Sequence, residues 1–240
     1  MNRALLVVLP LTVLGVLVGC EDHTEGVTAA TVTEPAVAVP TPGAAEAAPS
    51  GTTTAGTTPG GTAAASGSSR TSLAIDPATS TVGFTAAKIT RSHDGSFSRF
   101  EGTIELDRAN LTASSVSVTI HLDSLALDPA DLARHLLTDD FFDVARFPTS
   151  TFVSTSVTEG ATGNIGDAPA THTIAGDMTL HGRTQRITFP AIVEVTDAGV
   201  RARSEFTIDR RDFGIVYPGM PNDLIRDQVV IRFDVRAPAS

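Results

Sequence analysis

The chain has 240 residues, a formal net charge of −10, 41% hydrophobic residues, a single cysteine and no tryptophan. So acidic a balance argues against a nucleic-acid surface and gives no support to attraction by anionic lipid headgroups. One cysteine excludes an internal disulfide and a thiolate zinc site.

Arg3 is the one charge in the first nineteen residues, and an apolar run from Ala4 to Val18 follows it, broken by Pro10, Thr12 and Gly15. This is the layout of a secretory signal, too short to be a comfortable membrane span. The run ends in Leu17-Val18-Gly19-Cys20, which resembles the lipobox of bacterial lipoproteins, where the cysteine is acylated and becomes the first residue of the mature chain. Residues 1–19 are therefore expected to be a lipoprotein signal peptide, and Cys20 the attachment point of a lipid that anchors the chain to the cell envelope, on its periplasmic face or at the cell surface. Each buried lipid CH₂ adds roughly 0.8 kcal/mol to such an anchor. With the thiol so used, none is left for catalysis.

From Glu21 to Thr71 the chain is mostly Ala, Thr, Gly, Pro and Ser, without an aromatic residue. Such a segment buries too little apolar surface to offset the entropy of ordering it. Residues 20–71 are expected to be the lipidated cysteine and a disordered tether, with an end-to-end distance of roughly 35–42 Å. All eleven Phe and Tyr217 lie beyond Thr71, which sets the expected folded domain at 72–238, large enough for a real core.

Within it a two-residue apolar period recurs, most clearly in Val116-Ser117-Val118-Thr119-Ile120-His121-Leu122-Asp123, the mark of a half-buried strand. Similar runs at 73–75, 82–88, 100–106, 152–157, 171–180, 187–195, 200–208 and 229–235 give eight or nine strands. Asp94-Gly95, Gly160 to Pro169 and Asp197-Ala198-Gly199 are read as turns between them. One short helix is expected from an N-cap at Asp128 to about Leu137, with Leu132, His135 and Leu136 on one face. The fold expected is all-β, an antiparallel eight-stranded barrel with one helix closing an end.

The phase of the alternation sets Phe84, Ile104, Ile174, Met178, Phe189, Phe206 and Phe233 inward, together with the small residues Ala86, Gly102, Gly176, Ala191, Ala202 and Ser204. An eight-stranded interior is either filled by side chains or holds one small ligand. Interleaved small residues suit a cavity, and Gly102 and Gly176 suit bends or bulges equally well.

Three segments, Arg134 to Pro148 with Thr151 to Ser154, Ala175 to Thr184, and Phe206 to Ile215, taken with the strand pattern, resemble the YceI-like polyisoprenoid-binding family over nearly all of 72–238. The resemblance implies a lipocalin-like barrel with an apolar channel for an isoprenoid chain, a secreted or periplasmic role, and no catalysis or cofactor. On it, Phe84, Ala86, Ile104, Ile174, Met178, Phe189, Ala202, Phe206 and Phe233 are the expected channel lining. Lys88, where many members carry a His, and the loop Tyr217 to Asp227 depart from the commoner pattern and mark a subgroup. Lys88, His93, Arg183 and Tyr217 are candidates to meet a polar headgroup at the barrel mouth.

Two other readings remain in view. Loop 217–227 could dock a protein partner, with the barrel as a scaffold. A metal-dependent hydrolase would have to draw on His93, His121, His135, His172 and His181, but no His-x-His or His-Glu-x-x-His spacing occurs. Neither a Gly-x-Ser-x-Gly elbow nor a phosphate loop is present.

Overall fold

The computed structural model describes residues 23–35 and 70–239. The signal peptide, Cys20 and most of the expected tether lie outside the described residues.

Twelve strands form one antiparallel sheet: β1 (Thr31–Thr33), β2 (Arg70–Ala74), β3 (Thr81–Ala87), β4 (Ser92–Phe97), β5 (Phe100–Asp107), β6 (Ser115–His121), β7 (Leu125–Leu127), β8 (Thr149–Glu159), β9 (His172–Leu180), β10 (Arg183–Thr196), β11 (Gly199–Asp209) and β12 (Gln228–Pro238). Their order is β2-β5-β6-β8-β9-β10-β11-β12-β3-β4-β7, with β1 on β10. The sheet curls into a barrel-like shell. After β2, Ile75 N–H donates to Gly102 O and Asp76 N–H to Arg236 O, which brings the first strand round to β12. Every run with a two-residue apolar period falls on a strand, although the clearest of them ends at His121 where Leu122–Ser124 turns as a 3₁₀ helix, and β2 begins at Arg70, two residues before the expected boundary.

In the main sheet the count of eight or nine is corrected to twelve by β1, β4 and β7, strands whose sequences lack that period, and two small ribbons, 164–165 with 168–169 and 219–220 with 223–224, lie off it. Asp94-Gly95, read as a turn, lies inside β4 opposite Thr85 and Phe84. The Phe84 ring covers Gly95 so closely that a Cβ there would sit 2.5 Å from it, and the Asp94 carboxylate accepts from Thr85 Oγ1 and pairs with Arg232. Cross-strand partners thus hold a turn-prone dipeptide extended. The helix is also corrected: α1 spans Ala130–Leu136 with Pro129 as its N-cap, while Asp128 stays outside and its carbonyl accepts from His93 Nδ1.

β10 is fourteen residues long and changes partner midway. Arg183 to Ala191 pair with β9, and Ile192 to Thr196 pair with β11. Beyond that point β10 and β11 splay, leaving two edges with backbone groups that need partners. Residues 28–33 occupy the seam. Thr31 to Thr33 pair with Thr188 to Arg186, Ala29 bridges Thr207 in parallel, and Thr207 exchanges hydrogen bonds with Thr28 O and Ala30 N–H. Ala30 and Val32 pack against the core, and a His23 ring nitrogen lies 3.2 Å from Gln228 O. The expected tether is therefore corrected over 23–35. This part is a strap built into the wall, recruited by open strand edges rather than by aromatic burial.

Replacing half-buried Val32 with Asp puts a carboxylate against the core and is expected to lower stability by about 1–3 kcal/mol. Thr31→Asp, on the exposed face of the strap, is expected to leave it nearly unchanged. Urea unfolding of the two variants beside the parent chain checks this.

Candidate ligand-binding site

The inward faces of these strands do not fill the shell. A first chamber of about 150 Å³ lies in the half of the barrel where β10 meets β11 and β5 meets β6. A second, of about 110 Å³, lies toward α1. Val82, Ile120, Ser150, Met178 and Ile231 line both, so the two stand in tandem along the barrel. A buried water needs only about 10–15 Å³ on this scale. Inward-facing Phe152, Met178, Val193, Ile231 and Phe233 are only half-buried, their free surface turned to the first chamber.

The structure places Ile104, Ile174, Met178, Phe189, Ala202, Phe206 and Phe233 on the wall of the first chamber, and Phe84 and Ala86 on that of the second. Phe189 stacks on Phe206 at 4.3 Å, and Phe233 meets both edge-on. Two of the small residues, the glycines, contribute differently from the cavity expectation. A Cβ on Gly176 would lie 2.4 Å from the Phe152 ring, and the β8–β9 register shifts there. One on Gly102 would meet Ile75 and Ser117 O at 2.7 Å. Both glycines admit neighbours rather than open space: Gly176 sits at a bulge, while Gly102 lies in a regular ladder and serves close approach alone.

One end of the barrel is closed. Leu122, Leu136, Phe141 and Ile215 are all under 9% exposed and cap the second chamber. Arg210, 4% exposed, secures this cap. Its guanidinium donates to Ile215 O at 2.6 Å, to Arg226 O and Ile225 O at 3.2 and 3.4 Å, and to the Asp227 carboxylate at 2.9 Å. Desolvation lowers its pKa, and the facing Asp227 carboxylate opposes that shift. At the other end the first chamber runs out between half-buried Leu111, Ser114 and Val195.

None of the four residues expected at a headgroup lines either chamber. All belong to the closed end, and the structure engages each there. Lys88 Nζ is 3.5 Å from the Asp223 carboxylate, His93 bonds the Asp128 carbonyl, Arg183 lies against Gly214, and Tyr217 packs on the His135 and Phe141 rings. His135 is a satisfied helix histidine, 2.8 Å from Asp140. Among the described residues no three His, Cys, Asp or Glu gather into a metal-binding group.

Sequence reasoning passed over His172 except as a metal ligand. It opens β9 in phase with inward Ile174, is 8% exposed, and lines the first chamber. Its Nδ1 is 2.8 Å from Thr171 Oγ1, while its Nε2 is buried without a hydrogen-bond partner. The two-residue period was the signal that could have found it.

A family model of the YceI-like domain matches residues 73–237. A UPF0312 protein of Pseudomonas putida is 37% identical over 131 residues, which cover 52% of this chain and 65% of that protein. A UPF0312 protein of Vibrio cholerae is 34% identical over 131 residues, 52% of this chain and 66% of the other. The chain thus spans just under two thirds of the length of these relatives. Among solved structures, Burkholderia cenocepacia BcnA superposes with a TM-score of 0.59 at 24% identity, over 68% of this chain and 99% of that one. A polyisoprenoid binding domain from Saccharophagus degradans, implicated in plant cell wall breakdown, superposes with a TM-score of 0.54 at 16% identity, over 70% and 98%. These likenesses establish the barrel-like fold.

Arg210→Met is expected to leave three carbonyls short of a donor and Asp227 without its buried partner, at a cost of about 3–5 kcal/mol. Hydrogen exchange should accelerate first in residues 215–227, ahead of the β-ladder, and thermal unfolding should give the overall loss.

Proposed function

Since the chain belongs to the YceI-like family, we propose that its barrel holds a long-chain isoprenoid or similar amphiphilic lipid, chemically unchanged, and that Cys20 carries a lipid anchoring it to the bacterial envelope. The observation that carries this reading is the pair of tandem chambers with almost wholly apolar walls. A polyprenyl tail is flexible and nearly free of polar atoms, so it asks for apolar lining and length. Its burial contributes roughly 25 cal/mol per Å², less the cost of ordering the chain. The polyisoprenoid binding of the Saccharophagus degradans domain, which shares the fold, supports the same ligand class.

The strap alters how the anchor acts. His23 is held at Gln228, at the closed end of the barrel, and the three-residue step from there back to position 20 spans at most about 11 Å. A lipid on it brings that end against the membrane, far nearer than a tether of roughly 35–42 Å. Ile89, Val216, Met220 and Leu224, each at least 45% exposed, belong to that same end. They also favour a second reading, in which loop 217–227 docks a partner while the barrel serves as scaffold.

Native mass spectrometry of protein purified from its own envelope should show a co-purifying polyprenyl species. A barrel that is always empty and refuses added isoprenoid would end the proposal. Ala202→Trp puts an indole into the first chamber and is expected to abolish isoprenoid binding, leaving docking through loop 217–227 intact. Cys20→Ser should release the chain from membranes with ligand affinity in solution unchanged.

A further inference from the structure

The wall of the first chamber contains no Lys, Arg, Asp or Glu. Its polar side chains are few, and those with a defined partner are already committed. Ser114 Oγ accepts from Asp107 N–H, and Ser150 Oγ donates to Thr179 O. Ser115 and Thr151 are half-buried, and His172 Nε2 is a fully buried ring nitrogen with no partner. The other side of the ring is held: Thr171 Oγ1 contacts Nδ1 at 2.8 Å and itself accepts from Val193 N–H at 3.0 Å. The imidazole is therefore oriented by the wall, in a residue that lines the chamber, and its second nitrogen is buried at that wall without a partner. Leaving such an atom unsatisfied is costly, and unsatisfied buried polar atoms are uncommon.

We propose that His172 Nε2 hydrogen-bonds the polar end of the bound lipid, and that this end is an uncharged hydroxyl or carbonyl rather than a phosphate. The proposal rests on the reading of the chambers as a lipid site. A phosphate or diphosphate buried here would lack the cations and free N–H donors that offset its desolvation. The strand N–H groups of the wall are engaged in the ladder with their neighbours. A hydroxyl both donates and accepts, so it complements Nε2 whichever ring nitrogen carries the proton; a carbonyl does so when Nε2 carries it.

Position agrees with chemistry. His172 is the first residue of β9, at the end of the barrel away from α1, and Leu180, the last, lines the capped second chamber. Eight residues at about 3.3 Å each put roughly 26 Å along the strand between them. A molecule bound this way has its head near the accessible end and its tail in the closed one. The head thus lies at the opposite end of the barrel from Lys88, His93, Arg183 and Tyr217.

The test measures geranylgeraniol, geranylgeranyl diphosphate and phytane, which has no polar end, on the full chain and on His172→Leu, with 1-hexadecanol and hexadecane as unbranched probes. The parent chain should prefer geranylgeraniol to the diphosphate. His172→Leu should lose about tenfold in geranylgeraniol affinity with no loss for phytane, and His172→Gln should restore part of it. In the parent chain, the His172 ring ¹⁵N resonances should shift with geranylgeraniol and stay in place with phytane, which keeps the proposal testable should the leucine variant fail to fold. Equal affinity losses for alcohol and hydrocarbon, no loss for either, or a preference for the diphosphate would overturn the role of His172 and leave the lipid reading standing. If only 1-hexadecanol binds, and does so through His172, the isoprenoid reading fails and the role of His172 survives. If no probe enters, both fail together.

Discussion

A single buried guanidinium holds down the closed end of this barrel. Loop 215–227 turns much of its apolar mass outward, at Val216, Met220 and Leu224, and several of its carbonyls point into the protein, where water cannot satisfy them. Arg210 answers three of them and the Asp227 carboxylate from one planar group, a task suited to a rigid fork of five donors and beyond the reach of a lysine. With the loop held down, Ile215 and Ile225 become walls of the second chamber. That contact fixes the loop's side of the closed end, and Leu122, Leu136 and Phe141 complete it.

The interior trades packing for room. Empty space beside an apolar side chain forfeits dispersion contacts, and the half-buried state of Phe152, Met178 and Phe233 records that loss. The structure limits it by clustering aromatic rings in the middle of the barrel, where Phe189 and Phe206 stack, and by seating Phe152 on Gly176. A filled core would be more stable and would hold nothing. The shell is sustained instead by its β-ladder and by outward cross-strand pairs such as Arg186 with Asp177 and Arg201 with Asp234.

Much of this was legible in the sequence wherever one side chain in two is apolar. The period in Val116 to Asp123 or Val200 to Ile208 identifies a strand and its inner face together, so the nine expected lining residues all stand on chamber walls. What escaped lies where backbone partners decide. Thr31 to Thr33 are extended because β10 and β11 splay beside them, and Asp94-Gly95 because Phe84 and Thr85 hold them. Arg210 stands within a recognisable motif, yet its acceptors are main-chain oxygens, which leave no trace in residue type. Lys88, His93, Arg183 and Tyr217 were placed at a mouth by their polarity, and that end is the one Arg210 closes. His172 was readable from its phase with Ile174 and was weighed only as a metal ligand.

The strap gives the chain an unusual covalent economy. Residues 23–35 are part of the wall, and the next described residue, Arg70, begins β2, so the stretch from 36 to 69 joins two pieces already bound to each other. A backbone cut anywhere in that stretch would not by itself free the barrel. It would turn a permanent attachment into a reversible one, with β1 and its neighbours as a noncovalent clasp whose dissociation rate sets how long the barrel stays with the N-terminal fragment. Proteolysis there would work as a timer rather than as a switch.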